Sequence, residues 1–362
     1  MTVKGATAKD SPKFDDSQRE YDAILFMSFG GPEKNEDVIP FLENVTEGRG
    51  IPKERLAEVG EHYFHFGGKS PINDQNIALI QEIEKELAHQ NINLPVYFGN
   101  RNWDPYISDT MEKMKDDGVK RAVCFVTSGY SCYSGCRQYR EDIVNAQEKV
   151  GAGAPEVDKI RVFYNHPGFI ESTITSIKES LSNWDAKDHK NVKIAFTAHS
   201  IPDSQAESSD YEVQLNETCK IITDEINHTN YDMVYQSRSG SPRIPWLEPD
   251  IIDYMETISS QGTNDLLIVP IGFISDHMEV LYDLDTEAVE KAEELNMKME
   301  RVPTVGVSKP FVEMIIDLIK ERMTENPERK NLGKRGPNHD ICPIDCCKAV
   351  SYTHLTLPTT RC

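Results

Sequence analysis

The sequence predicts an α/β protein made of two doubly wound halves with a cleft between them. Three observations carry this. Apolar runs rich in branched residues, such as 22–28, 121–127, 192–197 and 266–273, alternate with amphipathic stretches of ten to eighteen residues. Runs of that length, ended by charged or glycine-containing loops, read as parallel strands buried on both faces and joined by crossover helices. The alternation restarts near residue 165. Two runs end in chemistry: His199 follows the run 192–197, and Asp276, His277 and Glu279 follow 266–273. In open α/β sheets, ligands bind beyond the carboxyl ends of the strands.

Taken in order, 22–28 is a strand that closes on Phe29-Gly30-Gly31-Pro32. Glycines there serve either a plain strand-to-helix turn or a close approach of backbone to ligand, and both readings stand. Helical patterns cover 36–45 and 53–66, and Gly67-Gly68-Lys69-Ser70-Pro71 breaks the chain. From 73 to 90 a long helix carries Ile77, Leu79, Ile80, Ile83 and Leu87 on one face. A strand at 94–99, a helix at 106–115 and a strand at 121–127 follow. The loop SGYSCYSGCRQYRED then leads into a helix, before a strand at 160–164 and a helix at 167–181. The second half repeats the scheme with strands at 192–197, 232–236 and 265–272 and helices at 210–227, 249–260, 285–295 and 310–323.

The expected division is a disordered lead-in (1–20), two domains (21–165 and 166–325), and a linker with a cysteine-rich tail (326–350). Residues 351–362, SYTHLTLPTTRC, change character abruptly; they are expected to be non-native and are set aside with Cys362. The polar amino terminus has no apolar core of the signal-peptide kind, so a cytoplasmic location is expected. A net charge of −21 argues against nucleic acid, whose phosphates are bound by cations. No stretch approaches the ~20 apolar residues of a membrane span.

Cys124 and Cys219 fall in core and helix patterns. Cys132 and Cys136 lie close together, and Cys342, Cys346 and Cys347 are packed into six residues. In a cytosolic chain such clusters point to metal rather than to disulfides. His199 and the His277/Glu279 pair allow three readings: ligands for a borderline divalent metal such as iron(II), a general base with an orienting carboxylate, or structural caps at helix starts.

The segments LFMSFGGPE (25–33), GGKSPIN (67–73), YFGNRNWDPY (97–106), TAHSIP (197–202), YQSRSG and PWLEPD (235–250) and PIGFISDHMEVLYDLD (270–285) resemble ferrochelatases, specifically the actinobacterial type that resembles coproporphyrin III ferrochelatase. The resemblance implies two Rossmann-like domains, each on a parallel four-stranded sheet, with the porphyrin in the cleft. It implies insertion of iron(II), the metal substrate, into coproporphyrin III to give coproheme. Protoporphyrin IX as substrate, or a non-catalytic tetrapyrrole carrier, are the alternatives.

By position, His199 and Glu279 match the family's metal-handling pair, and Asp276, Asp283 and Glu287 would extend Glu279 into an acidic relay. Ser70 and Tyr139 match porphyrin contacts. Arg101 stands where a cation would meet a propionate, and His62 and Tyr63 would line the mouth. Phe29 replaces a tyrosine of some relatives and so packs against the ring without ligating. The resemblance further implies a two-iron two-sulfur cluster on Cys342, Cys346, Cys347 and an internal cysteine, Cys136 by position with Cys132 as runner-up; four thiolates are what such a cluster requires. A zinc site or free thiols are the alternative. A monomer without stable membrane association is expected.

Overall fold

The computed structural model describes residues 13–349 except 49, 240–242 and 344. In chain order the elements are β1 (Ala23–Ser28), α1 (Asn35–Val45), α2 (Lys53–His65), α3 (Ile72–His89), β2 (Val96–Asn100), α4 (Ile107–Asp116), β3 (Arg121–Val126), α5 (Gln138–Val150), β4 (Glu156–Lys159) and α6 (Pro167–Leu181). The second half adds β5 (Lys193–His199), α7 (Asp203–Glu207), α8 (Tyr211–Glu225), β6 (Tyr231–Gln236), α9 (Ile251–Ser260), β7 (Asp265–Val269), α10 (Met278–Tyr282), α11 (Ala288–Glu294), β8 (Lys298–Arg301) and α12 (Lys309–Met323). Single π turns precede α5 (Tyr133–Arg137) and α11 (Asp283–Glu287).

The strands make two parallel four-stranded sheets of identical order, β2-β1-β3-β4 and β6-β5-β7-β8. All six residues of β1 are buried, as are the apolar residues of β3, β5 and β7. This is what a strand covered by helices on both faces demands, and it is why these four are legible as unbroken apolar runs.

The edges differ from expectation. Ile160–Tyr164 is buried but unpaired as strand; the ladder instead takes Glu156–Lys159, in register with Arg121–Cys124. The matching edge β8 pairs Lys298–Arg301 with Asp265–Ile268 and has no apolar run to announce it. Both edges are four residues long and charged, EVDK and KMER, as edges protected from pairing with other chains tend to be. β7 stops at Val269, ahead of Pro270, which lacks the N–H a further rung would need.

One core serves both sheets. Phe125 of β3 stacks on Phe163 at 5.6 Å, and Phe311 of α12 meets them at 6.5 and 5.9 Å. The same cluster continues from Phe26 in the first half to Phe196 in the second. Such ring pairs add about 0.5–1.5 kcal/mol each beyond their buried area. α12 thus returns to the first half, packing on α3 as well as on α6. Beneath it, Arg161 and Glu321 form a two-pronged pair at 2.8 and 2.8 Å, with side chains 0% and 6% exposed.

Residues 13–20 of the expected lead-in are tied down. Asp15 pairs with Arg19 and Arg322, Asp16 with Arg329, and Lys13 bridges to Ile341. The expected linker is irregular but pinned: Asn165 Nδ2 donates to the carbonyls of Leu332 and Gly336 at 3.1 and 2.9 Å, and a Glu217 oxygen accepts from the Lys334 and Arg335 amides. Residues 1–12 and the stretch 351–362 expected to be non-native lie outside the described residues.

Candidate active site

His199 is the last residue of β5, paired in register with Gln236 at the end of β6. Its Nδ1 lies 2.5 Å from the Ser200 carbonyl, an acceptor, so the ring hydrogen belongs on Nδ1. Nε2 is left with its lone pair and lies 3.8 Å from Glu279 Oε1. Both side chains are open to the cleft, 29% and 44% exposed. An imidazole so oriented can take a proton or bind a metal at one defined atom.

Glu279 is placed by its neighbours in sequence. His277 caps α10, its Nδ1 accepting from the Glu279 amide at 3.2 Å, and burial favours its neutral form. The loop from β7 to α10 lies hard against β5, because a Cβ on Gly272 would stand 2.6 Å from Ala198 Cα. Any side chain there would push the loop off the strand that carries His199. From the first half, Gln75 of α3 makes two hydrogen bonds to the Asp276 backbone, accepting from its amide at 2.8 Å and donating to its carbonyl at 3.2 Å.

The acidic residues separate into two groups. Asp283 receives hydrogen bonds from Ser237 Oγ and Gln236 Nε2, yet burial, with Glu279 and Glu287 nearby, pushes its carboxyl up to about 7. Glu287 is raised in the same sense, first by burial and then by Asp250. Asp276 stands apart: its carboxylate is 2.7 Å from Arg301, which also grips Asp285 at 2.6 and 2.8 Å. Of the residues expected to form an acidic relay, the structure therefore groups Asp283 and Glu287 with Glu279 and holds Asp276 in an ion pair with Arg301.

α2 covers this patch. His62 stacks on Tyr282 with ring centres 3.7 Å apart and planes 9° off parallel. Tyr63 lies behind it, its hydroxyl pushed up by burial and by the Glu279 and Asp283 carboxylates.

On the first-half side, Phe29 is 36% exposed and meets Phe41 edge-on. Arg101 is not a free cation. Its Nε is 2.9 Å from Asp142, Nη1 donates to the Ser134 carbonyl at 3.1 Å, and the guanidinium lies over the Tyr139 ring at 4.6 Å. Its side chain is 6% exposed and packs over Tyr139. Ser70 and Tyr139 are both buried, Ser70 directly against Gly31. Behind Phe29, Ser28, Asn73, Asn76 and Asn100 form a buried neutral network: Asn76 donates to Ser28 Oγ at 2.9 Å, and Asn100 donates to Asn73 Oδ1 at 3.1 Å.

A second cluster lies away from His199. Cys132 Sγ turns into its own loop and accepts from the Gly135 amide at 3.1 Å, whereas Cys136, four residues on, is in hydrogen-bonding contact with Cys342 of the tail. Cys342 in turn contacts Cys346, and Cys346 Sγ lies 3.5 Å from Cys347 Sγ. His339 Nε2 is 3.8 Å from Cys346, and the donor atoms of His339, Cys342 and Cys346 all lie within 4.8 Å of one another. Arg137 Nη1 donates to the Cys346 carbonyl at 3.1 Å; contact with Cys342 and burial push the Cys136 thiol up, with the cations of Lys159 and Arg140 acting against that rise.

A sequence model of the family Ferrochelatase matches residues 21–323. The chain belongs to the ferrochelatase family. A ferrochelatase of Rhodopirellula baltica is 51% identical over 328 residues, covering 90% of this chain and 93% of that one. A coproporphyrin III ferrochelatase of Streptomyces coelicolor is 48% identical over 351 residues, covering 91% and 94%. Among solved structures, SirB from Bacillus subtilis with Fe3+ superimposes with a TM-score of 0.51 at 10% identity, covering 84% of this chain and 96% of that one. That likeness speaks to the fold alone.

Within this ferrochelatase-family fold, the structure brings His199 and Glu279, the pair that the resemblance implied, to within 3.8 Å of one another. Sequence reading missed Gln75, Gln236 and Ser237, which bond to Asp276, Glu279 and Asp283, and Tyr282, on which His62 stacks. Gln236 and Ser237 carried a signal: they end β6 as His199 ends β5, and strand ends are where the site was sought. Gln75 carried none, being one polar residue on a helix surface.

Proposed function

We propose that the chain inserts iron(II) into coproporphyrin III to give coproheme, as a lyase of haem biosynthesis. The observation that carries this is the His199 Nε2 and Glu279 Oε1 pair, facing each other at 3.8 Å beyond the strand ends. The name of the Streptomyces relative supports the choice of porphyrin; the Rhodopirellula relative is named for the chemistry alone.

Insertion exchanges two pyrrole N–H protons for one Fe2+. Nε2 of His199, free of hydrogen, accepts a pyrrole proton. Glu279 lies beside it to receive iron or proton, and Asp283, whose carboxyl titrates near neutrality, takes protons onward toward Glu287. A carboxyl near 7 both accepts and releases a proton at working pH, which a carboxylate of ordinary pKa does poorly. Phe29 supplies an apolar ring face and no ligand. Ser70 and Tyr139 shape the floor from beneath, with Arg101 locked behind Tyr139.

The test is anaerobic iron(II) insertion followed by absorbance, with coproporphyrin III and protoporphyrin IX offered separately. Faster turnover of coproporphyrin III is expected; preference for protoporphyrin IX would overturn the substrate and keep the chemistry. His199→Ala is expected to abolish insertion while porphyrin still binds, and retained turnover would remove His199 as the base. If neither ring were metallated, a tetrapyrrole carrier would be the better reading.

The tail thiols fit a two-iron two-sulfur cluster, proposed here on Cys136, Cys342, Cys346 and Cys347. The fit rests on the unbroken series of thiol contacts and on the cations beside them. When bound, the cluster supplies a one-electron redox centre. This chain's residues hold it and tie the tail to the loop before α5. Acid-labile sulfide and visible absorption after anaerobic purification would support it. No described helix is long and apolar enough to cross a membrane, which fits the proposed cytoplasmic monomer without stable membrane association.

A further inference from the structure

Five donors, not four, converge at the tail site. Their arrangement is uneven. The compact triangle is His339 Nε2, Cys342 Sγ and Cys346 Sγ, with Cys136 in contact with Cys342 and Cys347 in contact with Cys346. A tetrahedral metal with bonds of about 2.3 Å to sulfur spaces its donors by about 3.7 Å. His339 Nε2 meets that spacing from Cys346 at 3.8 Å. Cys347 does so too, at 3.5 Å, but only as the immediate sequence neighbour of Cys346 and from a backbone with φ at +53°, a region that non-glycine residues rarely adopt.

His339 is also held in place. The next residue, Asp340, has a side chain 1% exposed, paired with Arg329 at 2.7 Å and accepting from the Asp15 amide at 3.1 Å. The amides of Asp340 and Ile341 donate to the Lys13 carbonyl at 3.1 and 3.2 Å. With 340 and 341 anchored, the residues on either side, His339 and Cys342, are presented to the same point.

We infer that His339 is an inner ligand of the tail site, interchangeable with Cys347 at its outer position. The site is then a three-thiolate core of Cys136, Cys342 and Cys346 with a fourth place that imidazole or thiolate fills. The inference rests on the tail holding metal. Three thiolates and an imidazole suit iron bound with sulfide, whose donors are spread over two metal ions, and their residue types are also ones that zinc takes. With imidazole in place the bound group carries one negative charge fewer than with four thiolates, easing the demand on Lys159 and Arg140.

The experiment uses the full chain purified anaerobically, with iron, zinc and acid-labile sulfide counted in Cys347→Ser, His339→Ala and the double variant, and with circular dichroism confirming that each is folded. Cys347→Ser is expected to keep its metal and, after one-electron reduction, to show nitrogen coupling in pulsed electron paramagnetic resonance. His339→Ala is expected to keep metal without that coupling, and the double variant to lose it. Loss of metal in Cys347→Ser alone, or retention in the double variant, would overturn the inference. A wild-type chain with zinc and no sulfide would sink the cluster while leaving this inference to cobalt(II) substitution: a three-sulfur, one-nitrogen spectrum in Cys347→Ser supports it, and a spectrum without nitrogen refutes it.

Discussion

Replacing Asp283 by asparagine is expected to stabilise the fold near pH 8 and to leave it almost unchanged near pH 4. In the unfolded chain the carboxyl titrates close to 3.8; in the folded chain burial, against the hydrogen bonds from Ser237 and Gln236, moves it to about 7. The sign follows from proton counting. Below pH 3.8 both states hold the proton and the carboxyl costs nothing. As pH rises from there the unfolded state releases its proton first, so stability falls until the folded carboxyl ionises near 7, and it is level above that. At 1.36 kcal/mol for each pH unit between those two values the full cost is about 4 kcal/mol, and partial access of water reduces it to about 2–4 kcal/mol. Asparagine keeps an acceptor for Ser237 and carries no charge to desolvate. Urea unfolding of both proteins near pH 4 and near pH 8 measures it. An equal difference at both pH values would mean that Asp283 is an ordinary carboxylate in the fold, and its part in proton removal would fall with it.

Glu279→Gln should slow insertion strongly while leaving porphyrin affinity nearly intact; an unchanged rate in stopped-flow metallation would take Glu279 out of the mechanism. Gln75→Ala removes two hydrogen bonds worth about 1 kcal/mol each and should lower the insertion rate more than it lowers thermal stability, and the reverse pattern would make Gln75 merely structural. Gly272→Ala forces a methyl against Ala198 and should cost about 1–3 kcal/mol in urea unfolding while displacing His199 enough to depress turnover. Glu321→Ala strands the Arg161 guanidinium in the core and should cost about 3–5 kcal/mol; a smaller loss would mean that the Lys330 carbonyl and water suffice as partners.

The central strands and the ligand side were legible from local composition, since branched apolar runs make central parallel strands and polar residues just beyond them mark the ligand side; the choice of His199 and Glu279 among those polar residues came from the resemblance to the family. The edges were not legible, because Glu156–Lys159 and Lys298–Arg301 are strands by virtue of their neighbour's open hydrogen bonds and not of their own side chains. Arg101 and Asp276 are read incompletely for a related reason. A sequence shows a charge, while its partner, Asp142 for one and Arg301 for the other, lies forty-one and twenty-five residues away. The tail reads as a linker because it is polar, and its order comes from side chains elsewhere, Asn165 and Glu217, that reach out to its backbone, and from its own Arg329 paired with Asp340. Cys136 and Cys132 are alike in sequence; only the π turn between them decides which faces the tail.

The two sheets repeat one another rung for rung, yet the repeats have parted company at the matching rung. Where β5 and β6 end in His199 and Gln236, β1 and β2 end in Ser28 and Asn100. The first half fills that place with sealed amides and a hydroxyl that hold no charge at any ordinary pH; the second fills it with imidazole and carboxylates. At this one rung the first half is uncharged while the second half carries a group that titrates. Acid or alkali would retune the rung of the second half and leave its counterpart in the first half unchanged.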